Sequence, residues 1–321
     1  MIFQDTINRR SNFKNIWFNI ALLALFSVIF YWMDLRGTSF AKILISLDDI
    51  PLFYSIDRIF LSVAAGLIFY LNARILDLMP LKIQMFAVWI ELALVFLLFF
   101  YSFDLKLSFI LKKLPYLITQ GVFTTVYISV ISVFIAFCLA LAGAISKLSS
   151  NGFASGIANF YTSFFRGLPL LMQLYLLYMG LPQLGFVIDA IPAGIIALSL
   201  CYGAYMTEIF RAGILSINKG QWEAARAMAL TPYQIMRHII LPQSMPVIIP
   251  PTGNMFIAML KDSSLVSILG VWELMYLART EGHTEFRHFE MLVTVALIYW
   301  MLSIILEIIQ GRIEKYFHKS R

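Results

Sequence analysis

The chain has 321 residues, 60% of them hydrophobic and 13% charged, with a mean hydropathy of +0.82 and a formal net charge of +6. That is too apolar for a soluble domain, and the lysines and arginines fall between apolar runs, so they fit orientation in a bilayer better than a nucleic-acid surface. Cys138 and Cys201 both lie inside apolar runs, which argues against a disulfide framework or a metal cluster and leaves them as small packing residues.

Arg9, Arg10 and Lys14 precede the first apolar run, 16–33. No small-residue cleavage site follows it, so it reads as a retained span and not a signal peptide. Further spans are predicted at about 56–76, 83–103, 116–145, 157–181, 186–210, 245–269 and 291–310, each near the twenty residues a hydrocarbon core requires. The fold class is therefore all-α integral membrane with about eight crossings. Asp57 and Arg58 open the second span at an interface, and Glu91 inside the third must face protein. The polar stretch 102–115, with Asp104, Lys106, Lys112 and Lys113, divides the chain into an N-terminal three-helix extension (1–114), a five-span core (115–314) and a short tail (315–321).

An even number of crossings puts both termini on one side. Arg9, Arg10, Lys14, Arg74, Lys82, Lys147, Arg211, Lys219, Arg226, Arg237, Arg312, Lys315, Lys319 and Arg321 share that side. Arg36, Lys42, Lys106, Lys112, Lys113, Arg279 and Arg287 are left opposite, so the first side is cytoplasmic, with Lys112 and Lys113 against the trend. Arg166 and Glu208, near cytoplasmic span ends, are expected to serve structure as ion-pairing residues.

The longest polar, helix-compatible run is 220–243, within a coupling loop taken as 218–243. Asn218 caps a first helix carrying Trp222, Ala225 and Ala229 at helical spacing, with Glu223 and Arg226 as a surface pair. Thr231-Pro232-Tyr233-Gln234 combines an N-cap, a proline at the first helical position and a glutamine three residues on, and Pro242 is expected to end the second helix. Such an amphipathic hairpin suits docking onto another protein.

The next span carries a polar load of Asn254, Lys261, Asp262, Ser263 and Ser264, tolerated only beside a cavity or a partner helix. Pro250 and Pro251 are expected to break the helix there and favour a pathway. Asn254, Met255, Met259, Lys261, Asp262 and Ser263 are the substrate-path candidates. Lys261 and Asp262 point in different directions, and two readings stand. One of them meets a charged backbone group of a zwitterionic amino acid, or Lys261 pairs with Glu208 and Asp262 with Arg166. Gln173, Tyr175, Tyr178 and Tyr205 are further lining candidates. The segment 273–290, with His283 and His288, reads as an outer loop facing a partner and not as a metal site. The four histidines are scattered, so no catalytic set converges, and the chain reads as a non-enzyme.

Glu223-Ala224-Ala225, the small Ala229, and Ile239, Leu241 and Pro242 at their offsets resemble the EAA loop of the membrane subunits of ABC importers, which usually carry glycine where this chain has Ala229. Arg166-Gly167-Leu168-Pro169-Leu170-Leu171-Met172-Gln173, Gly203-Ala204-Tyr205-Met206-Thr207-Glu208-Ile209-Phe210-Arg211-Ala212-Gly213 and Leu260-Lys261-Asp262-Ser263-Ser264-Leu265 are similar to stretches of the polar amino acid branch, of type I fold. The resemblance implies an amino acid permease of the bacterial inner membrane with an extracytoplasmic binding protein, a second permease (identical or paralogous) and two copies of an ATP-binding subunit. In it Glu223, Ala224, Ala225, Arg226, Ala229 and Leu230 would meet the ATPase. No G-x-x-x-x-G-K-[ST] occurs, so Mg-ATP belongs on that partner and no cofactor on this chain. The alternative, an ion-coupled secondary transporter of small polar solutes, would more naturally show paired broken helices, and the Pro250-Pro251 segment has no second copy.

Overall fold

Long apolar runs in lipid must satisfy their backbone internally, and the described residues are accordingly helix and short turns. The computed structural model describes residues 15–33, 54–101 and 105–318, without the side chains of 54–57, 98–101 and 318. Arg9, Arg10, Lys14, Arg36, Lys42, Lys319 and Arg321, used in the charge argument, lie outside these residues, as do Asp104 of the polar separator and the side chain of Asp57. The chain forms two units, one up to Leu105 and one from Lys106.

The first unit holds α1 (Ile16–Met33), α2 (Tyr54–Leu78) and α3 (Leu81–Tyr101). A Cβ at Gly66 would lie 2.5 Å from Ser27 Oγ, so the missing side chain lets α1 and α2 close on each other. The Phe69 ring sits 5.7 and 5.0 Å from those of Phe26 and Phe30. Arg58 donates to the Tyr31 carbonyl through Nε at 2.9 Å and Nη2 at 2.6 Å. Glu91 does face protein: Asn72 Nδ2 donates to its Oε1 at 2.8 Å.

In the second unit α4 (Leu107–Tyr116) passes through a π-helical turn, Leu117–Val122, into α5 (Phe123–Leu148) as one stretch of 42 residues. The predicted polar separator is thus helical from Leu107. Pro115 removes one rung of the ladder, and the wider turn follows directly. Lys113 donates to Glu281 at 2.5 Å and lies 3.6 Å from Glu285, which neutralises a lysine that ran against the charge distribution.

The predicted span 157–181 is not one straight crossing. It is α6 (Gly152–Gly167) and α7 (Leu170–Tyr175), the latter continued to Leu184, and the axis turns by 105° between them. Pro169 forces Leu168 into extended backbone (ψ 137), which stops α6. Gln173 Nε2 then donates to the carbonyls of Phe165 at 2.9 Å and Leu168 at 3.0 Å. At 3% exposure Gln173 braces this bend and does not line a pore.

α8 (Ala190–Leu215) runs through the middle of the unit. Its neighbour α5 presents Ala136, Ala140, Gly143 and Ala144, all buried. A Cβ on Gly143 would fall 2.6 Å from Thr207 Oγ1, and one on Gly203 2.6 Å from the Tyr161 hydroxyl. Small residues on both helices let the backbones approach, which is how helices pack where lipid removes the usual hydrophobic drive.

After α8 come α9 (Lys219–Ala227), α10 (Pro232–Gln234), a π-helical stretch Ile235–Ile240, α11 (Leu241–Asp262), a 3₁₀ stretch Ser263–Leu269, α12 (Leu274–Thr284) and α13 (His288–His318). Pro242 does not end the second helix of the hairpin. It falls where the ladder has already shifted register, with Leu241 N bonded to Met236 O, so its missing donor does not interrupt the path into α11. Pro250 and Pro251 likewise sit inside α11 without breaking it, and Gln310 of α13 donates to the Pro250 carbonyl at 3.1 Å. The predicted outer loop is largely helix. Glu273, fully buried, caps α12 by accepting from Met275 N at 2.9 Å and Tyr276 N at 2.7 Å, and Tyr299 donates to it at 2.7 Å.

Among the described residues five helices are long and apolar enough to cross a membrane, and two bent pairs bring the number to seven; α3, a further apolar helix of 21 residues, makes eight crossings plausible.

Candidate functional site

The hairpin between α8 and α11 is built from its ends inward. Asn218 Oδ1 accepts from Gly220 N at 2.8 Å and starts α9. At the other end of α9, Ala229 N bonds Arg226 O at 2.9 Å and Leu230 N bonds Ala225 O at 3.3 Å, the paired pattern of a Schellman turn. Ala229, whose spacing also fitted the first helix, is the turn residue between the two helices, at φ +56, a conformation glycine adopts without cost. Thr231 and Gln234 close a reciprocal capping box, with Thr231 N donating to Gln234 Oε1 at 2.9 Å and Gln234 N to Thr231 Oγ1 at 3.4 Å. Ala229→Gly is expected to stabilise the turn by about 1 kcal/mol or less, since glycine's greater freedom when unfolded offsets part of the relief. Thermal unfolding in detergent checks this: an unchanged or lower midpoint would mean that the alanine is not strained.

The knuckle has two faces. Ala225 (1% exposed) packs inward with Ile214, Ile235 and Ile240, and Trp222, Leu230 and Met236 lean on the same cluster. Glu223, Ala224, Arg226, Ala227, Met228 (72% exposed) and Tyr233 (66% exposed) face out. Ala225 and Leu230, expected to touch a partner, therefore serve the knuckle's own packing. Small size at Ala225 matters because it lets α9 sit against the π-helical stretch. Glu223 and Arg226 are both exposed, and no ion pair joins them among the described residues.

Behind the knuckle the ends of three helices meet on one carboxylate. Glu208 of α8 accepts from Lys147 of α5 and from Arg211 Nε at 2.9 Å, and Arg166 Nη1 of α6 lies 3.8 Å from it. Lys147 also donates to Thr162 at 2.7 Å, and the Arg166 guanidinium sits 5.5 Å from the Tyr205 ring centre. Arg166 lies within ion-pair range of Glu208, a pairing not among those expected, and the expected pairs Lys261–Glu208 and Asp262–Arg166 do not form. Lys147, read only as an orienting charge, is the most enclosed cation of the group, with its side chain 10% exposed. Its place at the last turn of a predicted span was the signal the sequence offered.

At the far end of α11 the polar residues separate. Asp262 Oδ2 accepts from the Tyr202 hydroxyl at 2.7 Å, and both Asp262 and Lys261 are exposed, Lys261 without a partner among the described residues. Asn254 is exposed and accepts from Gln310 Nε2 at 3.0 Å. Met255 is half-buried against the main core. Met259 and Ser263, both 0% exposed, lie in the wall and not on a path: Met259 packs in the core and Ser263 donates to Leu260 O at 2.7 Å. Helical spacing put Met259 on Asp262's stripe, but the main core covers Met259 and leaves Asp262 exposed.

Residues 139–319 match the family described as binding-protein-dependent transport system inner membrane component. The chain belongs to this family. The permease is 38% identical over 217 residues to the probable amino-acid ABC transporter permease protein YckA of Bacillus subtilis (strain 168), covering 68% of this chain and 95% of that one. It is 46% identical over 167 residues to the probable amino-acid ABC transporter permease protein PatM of Vibrio harveyi, covering 51% of this chain and 75% of that one. A solved structure, an amino acid ABC transporter with histidines, is similar at a TM-score of 0.62 and 35% identity, covering 66% of this chain and 99% of that one. The permease is thus a multi-pass transport subunit of the inner membrane, with the type I ABC importer fold.

Proposed function

We propose that this permease carries an amino acid inward and is driven by a separate ATPase docked on the outer face of the knuckle, at Glu223, Ala224, Arg226 and Ala229. The observation that carries this is the knuckle's division into a locked inner face and an exposed outer one. The π-helical stretch runs unbroken into α11, and the three-residue turn between α8 and α9 packs Ile217 onto the knuckle's inner cluster, so a push on the outer face reaches both helices. An ATPase pair that closes on Mg-ATP supplies the push, and a second permease, identical or paralogous, shares the path. An extracytoplasmic binding protein delivers the substrate, and both termini lie on the cytoplasmic side with the knuckle, in keeping with the charge distribution.

For the substrate, Asp262 is the group placed to meet the ammonium of a zwitterion: it is exposed, and the Tyr202 hydroxyl holds one of its oxygens. Half-buried Met255 and exposed Asn254 on the same helix suit a modestly polar amino acid better than an anionic one.

Glu223→Lys reverses the charge on the docking face without touching the inner cluster. ATP-driven amino acid uptake in proteoliposomes is expected to fall about tenfold or more, as for a charge reversal at an interface, with the protein's folding unchanged. Wild-type uptake in this variant would remove the proposed role, and uptake driven by an ion gradient without ATP would favour the secondary transporter.

A further inference from the structure

Beside the knuckle, on the side turned to α5, lies a cleft of roughly 920 Å³. Leu141 and Ile145 form its apolar floor, and Trp222, Arg226, Tyr233 and Arg237 stand along its other edge. No acidic side chain is among the described residues that line it. Ile145, 46% exposed, belongs to a span, so the floor continues an exposed apolar face of α5 up to the cleft. Arg237 Nη1 donates to the Tyr233 hydroxyl at 2.6 Å, which holds that guanidinium at the cleft.

We propose that this cleft binds one anionic phospholipid of the leaflet on the knuckle's side. One acyl chain lies on Leu141 and Ile145, the phosphate sits between Arg226 and Arg237, and Trp222 and Tyr233 flank the headgroup at the depth where amphipathic rings settle. Two guanidinium groups without a carboxylate select a net negative headgroup over a zwitterionic one, because each charge-assisted pair needs an unshared anion. A lipid here would wedge the knuckle against α5. The inference rests on the proposed function's reading that the knuckle lies on the cytoplasmic side of the membrane.

The test uses the purified permease–ATPase complex given equal amounts of phosphatidylglycerol and phosphatidylcholine, with bound lipid read by native mass spectrometry. One phosphatidylglycerol per permease is expected, preferred by about tenfold, with the preference lost in Arg237→Gln, which leaves the ATPase-docking residues untouched, and partly kept in Arg237→Lys. Excess inorganic phosphate should not displace it. Equal retention of the two lipids, retention unaffected by the glutamine variant, or displacement by free phosphate each overturns the proposal. The ATPase seen in the same wild-type spectra reads docking separately: an intact complex without lipid preference sinks the cleft alone, and lipid preference on a permease that never holds an ATPase sinks the coupling role alone.

Discussion

Glu208→Ala is expected to destabilise the permease by roughly 3 kcal/mol, the low end of what removing one partner from an enclosed ion pair costs. The carboxylate is the shared acceptor of Lys147 and Arg211, with Arg166 close by, so its removal leaves three cations on the ends of α5, α6 and α8. Arg166 and Arg211, with side chains 43% and 38% exposed, can turn toward water, whereas Lys147 at 10% cannot, and it should carry most of the cost. A double change, Glu208→Ala with Lys147→Met, should therefore recover most of the loss, because an apolar side chain needs no counterion. Denaturation of the purified protein measures both. A single-variant loss below about 0.5 kcal/mol, within the range of ordinary surface changes, would mean that each cation is separately solvated.

Ala225→Leu is expected to abolish most ATP-driven uptake while costing about 1–3 kcal/mol of stability, the usual range for overpacking a filled core. Ala225 is enclosed by Ile214, Ile235 and Ile240, so added methylenes have no free volume and must lift α9 off the π-helical stretch. Ala224→Leu, one residue earlier but facing out, should leave stability within about 0.5 kcal/mol of wild type. Both are read by thermal unfolding and by uptake in proteoliposomes. Equal stability of the two variants would show that the knuckle's inner face is not closely packed, and the rigid link to α8 and α11 would fall with it.

Much of this architecture was legible from local chemistry. Apolar runs of bilayer length announce themselves because every residue in lipid must be apolar or partnered, whatever its neighbours are. Asn218 and the Thr231–Gln234 box declare helix starts because capping is settled within four residues of chain. Glu91 was bound to find a partner, since an isolated carboxylate at that depth is costly, although that the partner is Asn72 was not readable.

The errors came where a residue's meaning depends on something distant. Three prolines marked as helix breakers, Pro242, Pro250 and Pro251, were absorbed: a π-helical stretch precedes the first, and the other two sit within α11. Pro169, in a span read as continuous, turned the chain sharply. A stripe at helical spacing cannot say which side of a helix meets a neighbour, so Ala225, Met259 and Ser263 were assigned to surfaces when packing had enclosed them. The sequence by itself determined a membrane-spanning helical protein with a capped polar hairpin, because hydropathy and capping are local properties. Only the tertiary structure decided which face of that hairpin is free and that Glu208 gathers Lys147, Arg166 and Arg211, because those outcomes depend on the approach of residues up to 61 positions apart.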